Sequence, residues 1–296
     1  MSAGSSKQTE GKIDFVYDGE TFQTYYKLFG DLQNRTGDPL IVLHGGPGLC
    51  HDYLISFADL SPQYGIPVIL YDQLGNGKST HLREKPPTFW TFDLFIDELV
   101  NLLNSFSIQE GFNLVGHSWG GVLALEFIVR RRPAGLKRLI LSNTLASAEL
   151  WQQSTQQLMQ AFPRDVQEGL MAGMSQPDKF YSALKKFHLV HGCASRPVPE
   201  VYWKAMEQVF GPEGDPTVAG SPIMQNWSIV DRLHLVNIST LVINGCRDIA
   251  QDFVIQPFLE KIPNVRRETF EHFSHSPFIE EKEEYMRVVA EFLLSQ

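Results

Sequence analysis

The sequence has 296 residues, a formal net charge of −9 and 43% hydrophobic residues, which is enough apolar content for a large buried core. The acidic balance, without a basic cluster, argues against a nucleic-acid partner, and no stretch approaches the roughly 20 apolar residues of a membrane span. Three cysteines without a C-x-x-C pair, and a polar start unlike a secretion signal, predict a cytosolic protein with no bound metal.

Short apolar runs alternate with helical patterns along most of the chain. Residues 13–17 and 21–28 flank Asp18-Gly19, a dipeptide that favours a β-hairpin turn. Continuous apolar runs, typical of strands buried on both faces, cover residues 40–43, 67–71, 112–115, 136–141, 240–244 and 267–270. Helical periodicity covers 92–106, 119–131 and 281–294. This alternation predicts an α/β fold, with a mostly parallel sheet and helices on both faces.

The alternation stops after Ser142 and resumes near Ile238. The intervening stretch is rich in Gln, Met, Pro and aromatic residues and contains no strand-like run. We interpret residues 146–232 as a helical cap inserted into a core formed by residues 1–145 and 233–296. Residues 1–11 are predicted to be a loose tail.

The strongest local motif is Gly116-His117-Ser118-Trp119-Gly120-Gly121, which follows an apolar strand and opens a helix. It fits the G-x-S-x-G elbow of serine hydrolases, in which a strained turn exposes the serine at a helix N-terminus. We therefore predict that Ser118 is a nucleophile. His117 is adjacent to it, but neighbouring side chains point apart at a sharp turn, so we interpret His117 as a packing residue.

A serine nucleophile needs a base and an orienting acid, which follow it in this fold in the order acid, then histidine. Asp248 follows the strand at 240–244, and His275 lies in the loop after the strand at 267–270. The carboxyl ends of neighbouring parallel strands form the usual site in open α/β sheets. Asp252 and His272 are rivals, although Asp252 stands where a helix N-cap is expected.

The segment His44-Gly45-Gly46-Pro47-Gly48 follows the strand at 40–43, where this fold places the loop that contributes to the oxyanion hole. The backbone N–H of Gly45 or Gly46 is expected to act together with that of Trp119.

Together, HGGPG at 44–48, DQLGNGKS at 72–79 and GHSWGG at 116–121 resemble the proline iminopeptidase family of α/β-hydrolases. The resemblance runs from about residue 13 to 292. It includes INGCRDIAQD at 243–252 and FSHSPFIEE at 273–281, which place the family's acid on Asp248 and its base on His275. Membership implies an α/β-hydrolase core with a helical cap. It also implies hydrolysis without a cofactor, typically of a bond beside a free amino group.

The chain departs from the family at the positions that hold the substrate's ammonium group. The family's peptidases use a Glu just after the catalytic Asp and another in the cap shortly before a Trp. Here Ile249 follows Asp248, and residues 219–226, which precede Trp227, contain no carboxylate. The remaining candidate acids of the cap are Glu200, Glu207, Glu213 and Asp215.

An apolar pocket with few polar groups suits a small organic ester, lactone or amide. Ile249, Tyr202 and Trp203 are predicted to line it, and further candidates are Phe180, Tyr181, Phe187 and Phe210. Three hypotheses follow for a small-molecule or short-peptide ligand. The first is a serine hydrolase of a small neutral substrate, the second an aminopeptidase that releases N-terminal proline, and the third a ligand-binding pseudoenzyme.

Overall fold

The computed structural model describes residues 7–295, which contain one eight-stranded sheet. Its strands in chain order are β1 (Gln8–Tyr17), β2 (Glu20–Phe29), β3 (Leu40–Leu43), β4 (Val68–Tyr71), β5 (Phe112–His117), β6 (Leu136–Ser142), β7 (Ser239–Gly245) and β8 (Val265–Phe270). The spatial order is β1-β2-β4-β3-β5-β6-β7-β8. The β1–β2 and β2–β4 pairs are antiparallel, and the other pairs are parallel. The predicted mostly parallel sheet is confirmed.

The helices of the described chain are α1 (Leu60–Tyr64), α2 (Phe92–Ser105), α3 (Trp119–Arg131), α4 (Ala148–Met159), α5 (Arg164–Ala172), α6 (Pro177–His191), α7 (Glu200–Phe210), α8 (Asp252–Lys261), α9 (Pro277–Glu280) and α10 (Lys282–Leu294). A longer 3₁₀ segment covers Asp52–Asp59. Among residues 7–295, no helix combines the length and the apolar character needed to cross a membrane.

The sheet is covered on both faces, because alternate residues of its strands belong to two separate apolar clusters. In β3, Ile41 and Leu43 pack with residues of α2, α3 and α8. Leu40 and Val42 pack with the 3₁₀ segment, α1 and α10. Successive side chains of a strand point to opposite faces, so each run must be apolar throughout to fill both clusters. The predicted helices on both faces are therefore confirmed.

The N-terminal prediction is partly wrong. Residues 8–11 do not belong to a loose tail, because they extend β1 to Gln8 and pair with β2 as far as Phe29. Polar residues are tolerated there because this edge of the hairpin is largely exposed, and the backbone hydrogen bonds hold it in place. Lys7 is also held, because its carbonyl accepts from the Gly30 N–H at 2.8 Å, and residues 1–6 of the predicted tail lie outside the described residues.

Between β6 and β7 the described chain forms helices α4 to α7, three short 3₁₀ turns and a single β-bridge between Ser147 and Ser228. The end of this helical segment is tied to the core by Glu126 of α3, which is completely buried. Its carboxylate accepts a hydrogen bond from Trp227 Nε1 (2.8 Å) and forms ion pairs with Arg232 (2.5 Å) and Arg130 (2.7 Å). The helical segment thus returns to the sheet at a defined point.

A second buried carboxyl, Glu98 of α2, contacts β2 and has no cationic partner within residues 7–295. Thr24 Oγ1 of β2 lies 2.5 Å from its Oε1, and the Leu74 backbone N–H donates to Oε2 at 3.0 Å. Burial raises the pKa of Glu98 to about 8, because desolvation disfavours the ionised form. The group is therefore protonated in the folded protein at neutral pH, whereas in the unfolded chain it is ionised.

This difference predicts a pH-dependent stability. A carboxyl whose folded pKa is raised binds a proton on folding, so the free energy of unfolding falls as pH rises from about 4.5 to 8, by about 1.4 kcal/mol per pH unit. Glu98→Gln keeps a hydrogen-bonding amide and removes this titration. Urea unfolding at pH 5, 6, 7 and 8 is expected to show a steeper decline for the unmodified protein than for Glu98→Gln. Glu110→Gln, at an exposed position, serves as control and is expected to behave like the unmodified protein. Parallel curves of unfolding free energy against pH for the unmodified protein and Glu98→Gln would refute the assignment.

Candidate active site

Ser118 occupies a sharp turn between β5 and α3, with φ 53° and ψ −119°. A non-glycine residue rarely adopts this conformation, so the surrounding chain must hold it. The flanking glycines allow the tight approach. A Cβ at Gly116 would lie 2.4 Å from the backbone of Gly120, and one at Gly120 would lie 2.1 Å from the carbonyl oxygen of Leu43. The turn presents Ser118 at the start of α3, on the wall of a cavity.

The structure brings Asp248 and His275 together. His275 Nδ1 lies 2.6 Å from Asp248 Oδ1, and His275 lines the same cavity as Ser118. Asp248 is fully buried, and its carboxyl also accepts hydrogen bonds from the Ala250 backbone N–H (3.0 Å) and from Asn143 Nδ2 (2.6 Å). An imidazole held at Nδ1 by a carboxyl leaves Nε2 free for proton transfer, as general-base catalysis requires.

Burial governs the charge of this pair. It lowers the pKa of His275, because the imidazolium form loses its hydration. It also raises the pKa of the Asp248 carboxyl, against the hydrogen bonds from Ala250 and Asn143. The imidazole is therefore uncharged at neutral pH, as a general base must be.

The two rivals lie elsewhere. Asp252 is the first residue of α8, where its largely exposed carboxylate forms an ion pair with Arg267 and accepts a bond from Asn244 Nδ2 (3.3 Å). His272 is exposed in the turn after β8 and is not among the residues that line the cavity. Of the four candidates, the structure joins only Asp248 and His275 to the cavity around Ser118.

One oxyanion-hole prediction is contradicted. The Gly45 N–H donates to the buried hydroxyl of Tyr53 at 2.7 Å, so it is not available to a substrate oxygen. Gly45 is needed instead for close packing, because a Cβ there would lie 2.9 Å from Tyr53 Oη and 3.0 Å from His117 Nδ1. Gly46 and Trp119 both line a smaller cavity that also includes Ser118, which leaves their amides as the candidate pair.

Tyr53 and His117 continue this bond into a chain that reaches His275. Tyr53 Oη lies 2.7 Å from His117 Nδ1, and His117 Nε2 lies 2.8 Å from the His275 carbonyl oxygen. The Gly45 N–H can only donate and that carbonyl can only accept. Nε2–H must therefore donate to His275, and in a neutral ring Nδ1 then carries no proton and accepts from the Tyr53 hydroxyl. His117 uses both ring nitrogens in this chain, and burial lowers its pKa well below the ordinary value, so it is neutral.

Two further positioning residues were missed from sequence. Gln73 Nε2 donates to the His44 carbonyl (3.1 Å), and its Oε1 accepts from Trp119 Nε1 (2.8 Å), so one side chain joins both halves of the candidate oxyanion hole. Asn143, with a positive φ of 52°, orients Asp248. The DQ pair within DQLGNGKS carried a signal for Gln73. Asn143 follows the last residue of β6, a strand-end position that pointed to the site.

The main cavity has a volume of about 390 Å³. Of the residues predicted to line a pocket, Tyr202, Ile249, Phe180 and Phe210 lie on its wall. Trp203 does not belong to the wall, and this prediction is wrong. Consecutive positions of a helix point about 100° apart. Since Tyr202 faces the cavity, Trp203 turns aside and packs edge-on against the Tyr202 ring, with centroids 5.3 Å apart. Tyr181 and Phe187 are buried outside the wall.

Among the described residues, no carboxylate lines either cavity. Three of the candidate acids of the cap, Glu200, Glu207 and Glu213, are exposed. Asp215 is buried but engaged, with His81 Nδ1 at 2.6 Å and the Thr217 backbone N–H at 3.1 Å. The smaller cavity, about 220 Å³, is bounded mainly by Pro47, Leu145, Ala148, Trp151 and Met224. Both spaces around Ser118 therefore have uncharged walls among the described residues.

The chain matches a family model described as "alpha/beta hydrolase fold" over residues 38–282. It is 33% identical to a proline iminopeptidase of Clostridioides difficile, over 97% of this chain and 98% of that protein. Among solved structures, VinJ is 37% identical with a TM-score of 0.87, covering 96% of this chain and 98% of VinJ. A proline iminopeptidase of Mycobacterium smegmatis is 33% identical with a TM-score of 0.81, covering 96% and 97%.

The contacts of Gln73 generate a prediction for the reactivity of Ser118. Gln73→Ala removes the link between the His44 carbonyl and the Trp119 indole, so the Gly46 and Trp119 amides lose their relative position. We expect the rate of Ser118 phosphonylation by a fluorophosphonate to fall at least tenfold, since loss of one oxyanion donor lowers rates by about 10²–10³. Labelling rates measured at several probe concentrations separate the reactivity of Ser118 from the affinity of the protein for the probe.

Asn113→Ala is the matched control, because Asn113 is a buried amide in the first half of β5, remote from Ser118. Thermal unfolding of both variants measures the purely structural effect. Equal labelling rates for Gln73→Ala and Asn113→Ala, at equal stability, would rule out the positioning role.

Proposed function

Because this chain belongs to the proline iminopeptidase family of α/β-hydrolases, we propose that it is a serine hydrolase that cleaves an ester, lactone or amide bond in a small, uncharged organic substrate. The observation that carries the substrate class is the lack of any carboxylate among the described residues that line the two cavities around Ser118. A buried ammonium group without a counter-charge costs several kcal/mol, so an uncharged substrate fits this site better.

The proposed reaction is acyl transfer in two steps. His275 accepts the proton of the Ser118 hydroxyl through Nε2 while Ser118 Oγ attacks the substrate carbonyl carbon. The amides of Gly46 and Trp119 stabilise the oxyanion, helped by the N-terminus of α3. His275 then gives its proton to the leaving group and activates the water that releases the acid. Asp248 keeps the imidazole in the required tautomer, and no cofactor takes part.

A second candidate is release of an N-terminal residue, which the relatives named proline iminopeptidase favour. Against it, Ile249 occupies the position after Asp248, and its side chain lies on the apolar wall of the main cavity. A third candidate, a ligand-binding pseudoenzyme, is disfavoured by the hydrogen-bonded Asp248–His275 pair beside the strained Ser118 turn.

We further propose that the reaction occurs in the cytosol on a small molecule or a short peptide. The three cysteines are unpaired, which is typical of a reducing compartment. The net charge of −9 offers no electrostatic basis for binding nucleic acid.

The experiment that tests this proposal is fluorophosphonate labelling with competition by substrates. The purified protein is expected to be labelled at Ser118, and Ser118→Ala is expected to remain folded and unlabelled. Neutral aryl esters and lactones are expected to suppress labelling and to be hydrolysed. A prolyl arylamide, which carries a free ammonium group, is expected to be at least 100-fold poorer in kcat/KM than the arylamide of cyclopentanecarboxylic acid, which has the same scissile bond, leaving group and ring size but no charge.

Ser105→Ala is the matched control for Ser118→Ala, because Ser105 is exposed at the end of α2, and this variant is expected to be labelled like the unmodified protein. The buried Ser142 would not serve, since its Oγ bonds to Asn143 Oδ1 (2.6 Å) within the site. Labelling of another residue would overturn the assignment of the nucleophile. A preference for the prolyl arylamide would restore the peptidase specificity, and a protein that is neither labelled nor active would favour the pseudoenzyme.

A further inference from the structure

One corner of the main cavity differs from its apolar wall. His188 of α6, Tyr202 of α7 and Ser276, which follows His275, all line the cavity there. These residues come from two cap helices and one core loop. We call them the polar corner. The proposed reaction uses none of their side chains.

Ser276 is the unusual member of the polar corner. It is 1% exposed, and its Oγ has no hydrogen-bond partner within residues 7–295. Ser274, two residues earlier, shows the ordinary alternative, because its hydroxyl donates to Glu280 Oε1 at 2.6 Å. A buried hydroxyl without a partner costs about 1–3 kcal/mol, and such groups in native proteins call for an explanation. A bound ligand would supply the missing partner.

His188 and Tyr202 form a fixed, uncharged pair next to Ser276. His188 Nδ1 lies 2.6 Å from the Tyr202 hydroxyl oxygen. A Cβ at Gly192 would lie 2.4 Å from that Nδ1 and 2.5 Å from that hydroxyl, so the backbone packs directly against the pair. Burial lowers the pKa of His188, and it raises the pKa of Tyr202 well above its ordinary value. The Ser276 hydroxyl is near enough to that of Tyr202 to oppose this rise, although the two do not meet hydrogen-bonding geometry. All three groups are neutral at neutral pH.

From this arrangement we infer that the polar corner binds an uncharged hydrogen-bonding group of the substrate, an amide or a hydroxyl. This group belongs to whichever part of the substrate, the acyl part or the leaving group, occupies the main cavity. This inference rests on the proposed function and narrows its substrate class. Neutral donors and acceptors pair well with an amide, whereas an ammonium group would find no counter-charge there. Apolar walls around a few placed polar groups are the usual design of a small-molecule site.

The test compares two ester pairs of similar size. The first pair is the p-nitrophenyl esters of N-acetylglycine and pentanoic acid, and the second is the 2-acetamidoethyl and pentyl esters of butanoic acid. In at least one pair, the protein is expected to prefer the amide-bearing ester in kcat/KM. Ser276→Ala and Tyr202→Phe are each expected to reduce that preference about tenfold.

The chain offers matched controls for both substitutions. Ser56 Oγ and Tyr181 Oη are also buried without a hydrogen-bond partner in the described chain, but neither residue lines the cavity. Ser56→Ala and Tyr181→Phe therefore make the same chemical changes away from the polar corner, and both are expected to keep the preference for the amide-bearing ester.

The outcomes separate this inference from the proposed function. If both ester pairs are hydrolysed, and the preference is absent or equal in all four variants, the polar corner is not a binding site although the neutral hydrolase stands. If only free-amine substrates are cleaved, both proposals fail. Fluorophosphonate labelling of each variant at Ser118 verifies that its reactive site is intact.

Discussion

The site depends on one directional chain of hydrogen bonds, from the Gly45 N–H through Tyr53 and His117 to the carbonyl of His275. Its ends belong to the loops after β3 and β8, which are more than 200 residues apart in the chain. Both ends are buried, so each polar group must find a partner inside the protein. Satisfying those groups fixes the position of the loop that carries His275 relative to the loop of Gly45 and Gly46. His117, although adjacent to Ser118, is therefore part of the support of the site.

A second set of contacts holds the strained turn and its partners. The Ser118 backbone adopts a costly conformation, which persists only because glycines let α3 approach β3 and β5 closely. Gln73 links the His44 carbonyl to the Trp119 indole, beside the two candidate oxyanion amides, and Asn143 donates to the Asp248 carboxyl. The DQ sequence is thereby explained by a physical requirement. A side chain with both a donor and an acceptor must bridge the His44 carbonyl and the Trp119 indole.

Support and specificity are separable in this fold. The hydrogen bonds that hold the loops of Ser118, Asp248 and His275 lie in the core, where the polar groups are tightly paired. About half of the residues that line the main cavity belong to the segment between β6 and β7, with side chains from α4, α6 and α7, and the wall is mostly apolar with one neutral polar corner. The charge of these walls therefore depends largely on residues outside the loops that hold Ser118, Asp248 and His275. This accounts for a chain that resembles peptidases over its full described length yet carries no acid on the described walls of its cavities.

The amino-acid sequence by itself determined the strands, the elbow at Ser118 and the loops of Asp248 and His275, because contiguous runs encode burial, period and turn chemistry. The sequence also showed that position 249 is an isoleucine and that residues 219–226, before Trp227, contain no carboxylate. Only the tertiary structure decided which glycine amide is free, since Tyr53 occupies that of Gly45. The rotational phase of α7 turned Trp203 away from the cavity, and pairing with β2 drew residues 8–11 into a strand. Each of these outcomes depends on a partner distant in sequence or on the packing of a whole helix, which no local pattern records.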